Sequence, residues 1–378
     1  MKVLFLTASY PTPAEPLLGV FVEEHARAAA AHADVAVVHL DRSPVRRVVV
    51  ERAVDEELPT WRVRYPRSPA PWSYAGNVLG ALLGYARARR AGFDPDVVHA
   101  HFFLAAAPAV VLGRLLRKPV VVTEQWSVFL PEDPTTLSPL LRRVARFAFT
   151  RADVVMPVSD ALADGIRALG GRMRIRVVPN VVDTTLFHPG TPPPRVASSP
   201  RRIVGVGAQY EAKGWEDLLD ALKLLANGTQ HVHLSLIGDG PLRGELEARA
   251  ERAGLRDVVT FTGWLPKPEV AERVRDADLF VLTSRYDSNP CAAIEALASG
   301  VPVVGTAVGG IPDLVAGGAG LLARPGDPAS IASRIEEALA YGSWDRERIA
   351  SEASARYGRD AVGRAFAEVY EEVVARRR

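Results

Sequence analysis

The stretch DSNPCAAIEALASGVPVVGTAVGGIPDLV, residues 287–315, joins an alanine-rich helix to a short run of β-branched residues. Pro290 suits the first position of that helix, where a missing N–H costs nothing, and Ser288 or Asn289 can cap it. Gly300 suits the left-handed position that follows the last turn. The run VPVVGT lacks polar alternation, which is typical of a strand buried on both faces of a parallel sheet.

Two carboxylates mark this stretch. Glu295 shares one helical stripe with Cys291 and Ser299, and a carboxylate one turn from a helix N-terminus can accept hydrogen bonds from a ribose diol. Asp287 lies eight residues earlier, just outside the helix. The glycine pair at 309–310 would let a backbone approach a ligand closely. The alternatives are a solvent-facing glutamate and a plain turn.

The same alternation of apolar strands and helices runs through the whole chain. In the first half we predict strands at VLFLTA, DVAVVHL, DVVHAH, PVVVTE, DVVMPVS and IRVVPN. Between them we predict helices over 18–32, 74–91, 104–117, 138–151 and 160–169. The second half repeats the pattern with RIVGVGA, HVHLSLIG, VVTFTG, DLFVLTS and VPVVGT. This pattern predicts an α/β protein with doubly wound parallel sheets.

A proline- and serine-rich stretch, residues 188–202, interrupts the alternation and indicates a linker. We therefore predict a first Rossmann-like domain over 1–187, a second over 203–345 and a helical tail over 346–378. The tail's helix, 359–377, can pack back onto the first domain. Two such domains would face a cleft, and open α/β sheets bind ligands at the carboxyl ends of their strands.

Composition bounds the class of protein. The chain has 378 residues, 48% hydrophobic and 24% charged, which is normal for a globular protein of two domains. A net charge of +2 gives no reason to expect nucleic acid as a partner. One cysteine, Cys291, excludes an internal disulfide and fits a cytoplasmic location. We expect the short apolar start of the chain to form a buried strand, with a signal peptide as the alternative. Arg114 breaks the longest apolar run, so we expect no membrane span.

The order of these segments resembles the donor-site signature of the retaining glycosyltransferase family 4, also called glycosyl transferases group 1, of GT-B fold. In that family two carboxylates separated by seven residues precede a short helix, a strand and a Gly-Gly-(Ile/Val)-Pro-acid segment. Asp287 and Glu295 occupy those positions. VPNVVDTTLF (178–187) and IGDGPLRGELE (237–247) resemble further family segments, and the resemblance covers about residues 2–340.

The resemblance implies a phosphate loop in GVGAQYEAKGWEDLL, residues 205–219. Lys213 would hold the donor diphosphate, although Ala208 stands where the family often has an arginine. A solvated surface lysine is the alternative. Tyr210 replaces the third glycine of a dinucleotide fingerprint, which disfavours a nicotinamide enzyme.

The resemblance also assigns the rest of the donor site. Glu295 would accept hydrogen bonds from the ribose, and Asp287 would lie near the transferred sugar, although the family usually has glutamate there. Trp264 and Leu265 fall in the family's nucleobase loop, with core packing as the alternative for the tryptophan. The residues that would present backbone groups to the sugar are Ser288, Asn289 and Pro290.

In the first half, the resemblance points to a glycine turn and to a histidine strand. Gly19 would let the backbone approach the diphosphate and the acceptor. His99 and His101 have strand spacing and point to one face. His101 aligns with a histidine that relatives use near the reacting sugar, whereas we expect a structural role for His99. No third ligand of suitable spacing supports a metal site.

The segment TEQWS follows the next strand and would face the acceptor. The residues concerned are Glu124, Gln125 and Trp126. Relatives often carry histidine at the position of Gln125, so acceptor recognition would differ here.

The resemblance thus predicts an enzyme of the hexosyl- and glycosyltransferase class (EC 2.4). It would retain anomeric configuration and move a sugar from a nucleotide diphosphate sugar to a hydroxyl of a glycan, a lipid-linked acceptor or a small-molecule glycoside. His101, Lys213 and Asp287 would act in catalysis, with no metal cofactor. The alternatives are a sugar-nucleotide epimerase of the same fold and a catalytically silent sugar-nucleotide-binding protein.

An arginine-rich amphipathic stretch, 138–153, offers a route to peripheral contact with the inner face of the membrane. Arginines there alternate with leucine and phenylalanine at helical spacing, and such a helix can rest on an anionic lipid surface. Packing against the sheet is the alternative for this helix.

Overall fold

A computed structural model of the chain describes two compact units. The described residues are 1–41, 45–53, 57–66, 72–190, 199–226, 231–341 and 344–377. The first unit comprises Met1–Phe129, Pro134–Val181 and Arg359–Arg378, and the second comprises Leu130–Asp133 and Val182–Gly358. Most of the linker predicted over 188–202 (residues 191–198) lies outside the described residues.

The first unit is built on a seven-stranded sheet in the order β3-β4-β2-β1-β5-β6-β7. The strands are β1 Lys2–Thr7, β2 Asp34–Asp41, β3 Val49–Arg52, β4 Thr60–Arg64, β5 Val97–His101, β6 Val120–Glu124 and β7 Val154–Pro157. All pairings are parallel except that of β3 with β4. The helices are α1 Val20–Ala30, α2 Trp72–Arg90, α3 Phe103–Leu116, α4 Pro139–Arg151 and α5 Asp160–Arg167.

The second unit is built on a six-stranded parallel sheet in the order β10-β9-β8-β11-β12-β13. Its strands are β8 Arg201–Val206, β9 Val232–Ile237, β10 Val259–Gly263, β11 Leu279–Leu282, β12 Val303–Thr306 and β13 Gly320–Ala323. Its helices are α6 Trp215–Ala226, α7 Arg243–Arg252, α8 Lys267–Arg275, α9 Cys291–Ala298, α10 Ile311–Val315, α11 Pro328–Ala340 and α12 Arg346–Tyr357. The apolar strands β11 and β12 are buried along their whole length, as helices on both faces require.

These sheets confirm the predicted doubly wound α/β fold, with two differences at the sheet edges. The strand predicted at IRVVPN is wrong, because only Ile175 bridges to β7. Pro157 and Pro179 lack the N–H groups that a continued ladder would need. Strands β3, β4 and β13 were not predicted, because their runs are short or mix charged residues with apolar ones.

The C-terminal helix, Arg359–Ala375, packs on the first unit beside α1. A Cβ at Gly363 would overlap the carbonyl oxygen of Ala28, so glycine permits the two helices to approach closely. Arg359 donates to the buried carboxylate of Glu24 at 2.9 Å. None of the helices in the described ranges is both long and apolar enough to cross a bilayer.

Candidate functional site

The predicted donor residues lie in loops that follow the carboxyl ends of the second unit's strands. Lys213 follows β8, Leu265 follows β10, Asp287 follows β11, and Gly309 follows β12. Because all these strands are parallel, their following loops lie at one edge of the sheet. The fold therefore places the motifs at the edge where open α/β sheets bind ligands.

Lys213 and Asp287 form an ion pair at this edge. Nζ of Lys213 donates to Oδ2 of Asp287 at 2.6 Å, across 74 residues of sequence. The two side chains keep 26% and 14% of their surface exposed, so a ligand can still reach the ammonium group. The structure thus brings together the predicted phosphate-binding cation and the first predicted acid.

The turn that carries Lys213 is pinned to the end of β11. Lys213 ends a 3-10 turn, Glu211–Lys213, and the following Gly214 has φ of +59°. A Cβ at Gly214 would overlap the carbonyl oxygen of Thr283, so the approach requires glycine. The Thr283 hydroxyl donates to the carbonyls of Lys213 and Gly214, at 3.1 and 2.9 Å. These contacts hold the ammonium group near Asp287.

The glycine pair Gly309–Gly310 packs against the backbone of Asp287. Gly309 has φ of +48°, and a Cβ there would overlap the carbonyl oxygen of Asp287. The N–H of Gly310 donates to the same oxygen at 3.0 Å. The close approach that the glycines permit therefore holds the loop of the first acid in place.

This contact predicts a large effect for Gly309→Ala. The added methyl group meets backbone atoms, which cannot rotate away, and the left-handed φ adds strain, so we expect a loss of about 3 kcal/mol or more in the free energy of unfolding. Gly326→Ala is the matched control, since Gly326 has φ of +67° with no atom near its Cβ position. Urea unfolding of both variants measures the difference. Equal stabilities would show that the Asp287 contact is unimportant.

Helix α9 begins one residue later than its sequence suggested. Pro290 has an extended ψ of 112° and occupies the cap position, and no side chain caps the helix. The caps predicted from Ser288 and Asn289 are therefore wrong. The buried Ser288 hydroxyl has no hydrogen-bond partner within the described ranges. At the other end, Gly300 has φ of +71° and its N–H donates to Leu297, as the sequence predicted for this glycine.

Glu295 lies on the less buried side of α9, one turn from its start. Burial, and next the charge of Glu295, raise the pKa of the Cys291 thiol to about 12. Cys291 therefore stays protonated and is a poor nucleophile at neutral pH. Glu295 is the ionisable group that α9 offers to a polar ligand.

The two residues of the predicted nucleobase loop, Trp264 and Leu265, differ in burial. Leu265 is half-buried and packs against the core of the second unit. Trp264 is 53% exposed, so core packing is not its role. At the position of the family's arginine, Ala208 is exposed, and its carbonyl accepts a hydrogen bond from Nε1 of Trp215 at 3.1 Å. The predicted phosphate loop thus carries a methyl group, and not a cation, at this position.

In the first unit, Gly19 and the two strand histidines lie at the carboxyl edge of the sheet. Gly19 has φ of +72°, and a Cβ there would overlap the carbonyl oxygen of Ser9 in its own loop. His99 has both ring nitrogens engaged: Nδ1 lies 2.7 Å from the Tyr370 hydroxyl and Nε2 lies 2.7 Å from the Thr123 hydroxyl. This is the structural role expected for His99.

His101 is also fully buried, but neither ring nitrogen has a hydrogen-bond partner among the residues the structure describes. Its ring stacks on Phe5 at a centroid distance of 5.1 Å. Burial lowers the pKa of His101 well below 6.5, and the neighbouring histidines add to this. His101 is therefore a neutral, buried imidazole whose donor and acceptor have no partner among the described residues.

Gln125 is oriented by a histidine that the sequence did not single out. Nε2 of His25 lies 3.2 Å from the carbonyl oxygen of Pro179, which can only accept, so the proton is on Nε2. Nδ1 of His25 then accepts from the amide nitrogen of Gln125 at 3.1 Å. The amide oxygen of Gln125 consequently faces away from His25.

The side chain of Glu124 points into the first unit and holds the loop after β6 by hydrogen bonds. Its fully buried carboxylate accepts hydrogen bonds from the backbone N–H groups of Phe103, Gln125 and Trp126, at 2.8, 3.0 and 2.9 Å. Burial raises its pKa to about 7, and the three N–H donors oppose that rise. The carboxylate predicted to face the acceptor thus points inward. Trp126 stacks on Phe103 and stays partly exposed.

Three features of this edge were not evident from the sequence. His25, Tyr370 and the strained residue Phe102, with φ of +67° and ψ of 147°, all lie beside His101 or its neighbours. A non-glycine residue in that conformation stores strain, which is common at functional sites. His25 and Tyr370 contact residues 100 and 271 positions away, so no local pattern could reveal them.

Comparison with known proteins agrees with this architecture. The family model for "Glycosyltransferase Family 4" matches residues 18–186, and the model for "Glycosyl transferases group 1" matches residues 200–341. Among solved structures, a sucrose-phosphate synthase from Thermosynechococcus elongatus superposes with a TM-score of 0.79 at 20% identity over the whole of both chains. Anabaena HepE, solved with UDP, superposes with a TM-score of 0.75 at 21% identity over 98% of this chain and all of that chain.

Curated relatives give the family directly. A 2-deoxystreptamine N-acetyl-D-glucosaminyltransferase from Streptomyces fradiae is 31% identical over 82% of this chain and 81% of its own length. A 2-deoxystreptamine glucosyltransferase from Streptomyces kanamyceticus is 30% identical over 69% of this chain and 72% of its own length. The chain therefore belongs to the group 1 glycosyl transferases of glycosyltransferase family 4 and is a glycosyltransferase of GT-B fold.

Proposed function

We propose that this enzyme transfers a sugar from a nucleotide diphosphate sugar to an acceptor hydroxyl, with retention of anomeric configuration and without a metal cofactor. The observation that carries the proposal is the ion pair between Lys213 and Asp287 beside helix α9, which bears Glu295. We assign donor binding to the second unit and acceptor binding to the first.

The chemistry of the leaving group explains why a lysine suffices. Breaking the bond between the sugar and the diphosphate expels a dianion, so catalysis depends mainly on stabilising that charge. The ammonium group of Lys213 and the N-terminus of α9 supply positive charge where the diphosphate would lie. Glu295 accepts hydrogen bonds from the ribose, and the backbone of Ser288, Asn289 and Pro290 contacts the sugar.

We assign retention to a route in which the acceptor attacks from the face that the diphosphate leaves. Asp287 is paired with Lys213 at 2.6 Å, and Cys291 is held protonated, so neither is placed to form a covalent sugar intermediate. The departing diphosphate can take the acceptor's proton. His101, neutral and without a protein partner in the described chain, would hydrogen-bond to the sugar.

The names of related proteins support this donor class. HepE was solved with UDP and with UDP-glucose, and starch synthase IV of Arabidopsis thaliana with ADP and acarbose. The relatives include the 2-deoxystreptamine glucosyltransferase and a glycogen synthase from Mycobacterium tuberculosis. We therefore propose a carbohydrate acceptor, as a glycan, a lipid-linked sugar or a small-molecule glycoside.

A thermal-shift screen of UDP-, GDP-, ADP- and TDP-sugars tests the donor. A ligand that prefers the native state raises the melting temperature. At a ligand concentration of 100 times its Kd, the free energy of unfolding increases by about 2.7 kcal/mol. A hit is then assayed for nucleotide release with and without acceptor glycosides, and the anomer of the product is read by NMR. Steady release without acceptor indicates an epimerase instead, and binding without turnover on any acceptor indicates a binding protein.

We also propose peripheral contact between helix α4 and the inner face of the membrane. The helix buries Ala145, Ala148 and Phe149 in its own unit, and it exposes Leu140 and Phe147 among arginines. Those exposed arginines are Arg142, Arg143, Arg146 and Arg151. Such a surface matches anionic headgroups with apolar side chains to insert. The test is co-sedimentation with anionic vesicles at low salt, and a failure to bind there would exclude the contact.

A further inference from the structure

The C-terminal helix inserts an aromatic side chain into the core of the first unit, next to the strand histidines. Tyr370 is fully buried, and its hydroxyl lies 2.7 Å from Nδ1 of His99. Thr123 binds the other nitrogen of His99 at the same distance. A neutral imidazole has one donor and one acceptor, and each hydroxyl can complement either of them, so the chain Tyr370–His99–Thr123 satisfies both ring nitrogens and fixes the ring orientation of His99.

His99 in turn forms one wall of the space that holds His101. The two rings have centroids 4.6 Å apart, Phe5 stacks on His101 at 5.1 Å, and His25 lies at 5.5 Å. His101 makes no hydrogen bond to any residue in the described chain. Ring packing alone therefore sets its orientation, although burying the unpaired nitrogens costs free energy. That cost is offset when a ligand supplies the partner.

We propose that Tyr370 is a positioning residue for His101 and acts through His99. The inference rests on the proposed function, in which His101 lies beside the reacting sugar. Without the Tyr370 hydroxyl, His99 loses the bond that holds its ring plane, and His101 loses a fixed neighbour. A displacement of about 1 Å in a catalytic group can lower the rate by about 100-fold.

The decisive variant is Tyr370→Phe, which removes only the hydroxyl. The ring keeps its stacking on Phe366, at a centroid distance of 6.1 Å and an angle of 12°. With ¹⁵N-histidine-labelled protein, we expect the His99 signals to shift, because Nδ1 loses its hydrogen-bond partner, and we expect the His101 signals to shift with them. With the donor found in the screen, we expect kcat to fall about tenfold and the KM for the donor to change little.

Two control variants and two variants of Thr123 separate positioning from simple loss of stability. Tyr85→Phe removes a hydroxyl that donates to Asp94 at 3.2 Å in the same unit. Glu372→Gln removes the ion pair of the C-terminal helix with Arg174. Both should leave the His101 signals and kcat unchanged, whatever they do to the melting temperature. Thr123→Val removes the hydroxyl that binds Nε2 of His99 and should have the same effect as Tyr370→Phe. Thr123→Ser keeps that hydroxyl and should behave as the wild type.

Two results would overturn the proposal. Unchanged His101 signals in both Tyr370→Phe and Thr123→Val would show that His99 does not orient His101. Shifted signals with an unchanged kcat would show that the orientation does not matter to the reaction. If the wild type turns over no donor, the proposed function fails, while the NMR comparison still decides whether Tyr370 orients His101. Should Tyr370→Phe not fold, the Thr123 variants give the same decision.

Discussion

Replacing Lys213 with alanine is expected to lower turnover by about 100- to 1,000-fold while the protein stays folded. In the described structure the ammonium group of Lys213 lies 2.6 Å from Asp287. Position 208 of the same loop is alanine, so it adds no second positive charge. The two side chains keep 26% and 14% of their surface exposed, so the loss of the pair should cost about 1–3 kcal/mol of stability. Steady-state kinetics and thermal unfolding of the same preparations measure the two effects.

The matched control is Lys223→Ala, because Lys223 is an exposed lysine on α6 of the same unit. It should leave turnover unchanged. Glu295→Ala should lower kcat/KM for the donor by a similar factor to Lys213→Ala, chiefly by raising KM, because the proposed ribose contact is made in both the ground state and the transition state. Near-normal kcat/KM in both site variants would refute the donor site.

Acidification from pH 6.5 to pH 4 is expected to destabilise the protein by several kcal/mol. Burial lowers the pKa of His25 and His39 from 6.5 to about 4, and it lowers the pKa of His99 and His101 well below 6.5. In this window the unfolded chain binds protons that the native state excludes, so the free energy of unfolding falls as pH falls. The shift of His25 alone corresponds to about 3 kcal/mol at pH 4.

Glu124 acts in the opposite direction. Its pKa rises from 4.5 to about 7, so the native state holds a proton that the unfolded chain releases between these values. Its contribution to stability is therefore present at low pH and is lost as pH rises toward 7. Because the buried histidines described above outnumber this one acid, the net expectation is loss of stability on acidification.

Urea unfolding at pH 5, 6, 7 and 8 measures how the free energy of unfolding changes with pH. Glu124→Gln should steepen the loss between pH 5 and 6.5 by up to about 1.4 kcal/mol per pH unit, since the opposing titration is removed. His39→Asn should make the loss shallower. His231→Gln, at an exposed position, should leave it unchanged. Equal stability at pH 5 and pH 7 in the wild type would contradict the neutral, buried state of these histidines.

Local sequence signals were sufficient for most of the fold and for the composition of the donor site. Apolar runs such as VPVVGT predict buried strands because helices cover both faces of a parallel sheet. The lysine before Gly214 and the two spaced carboxylates could be found because each lies in a short segment with its own turn chemistry. The start of α9 differs from the local signal, because Pro290 occupies the cap position and no side chain caps the helix.

The sequence by itself determined the alternation of strands and helices, the family signature and the identity of Lys213, Asp287 and Glu295 as candidates. Only the tertiary structure decided that Lys213 rests on Asp287, that Glu124 points inward, and that Tyr370 binds His99. The physical reason is the range of the interactions. Secondary structure follows from neighbours a few residues apart, whereas the charge and orientation of a buried group depend on burial and on partners 74 or 271 residues away.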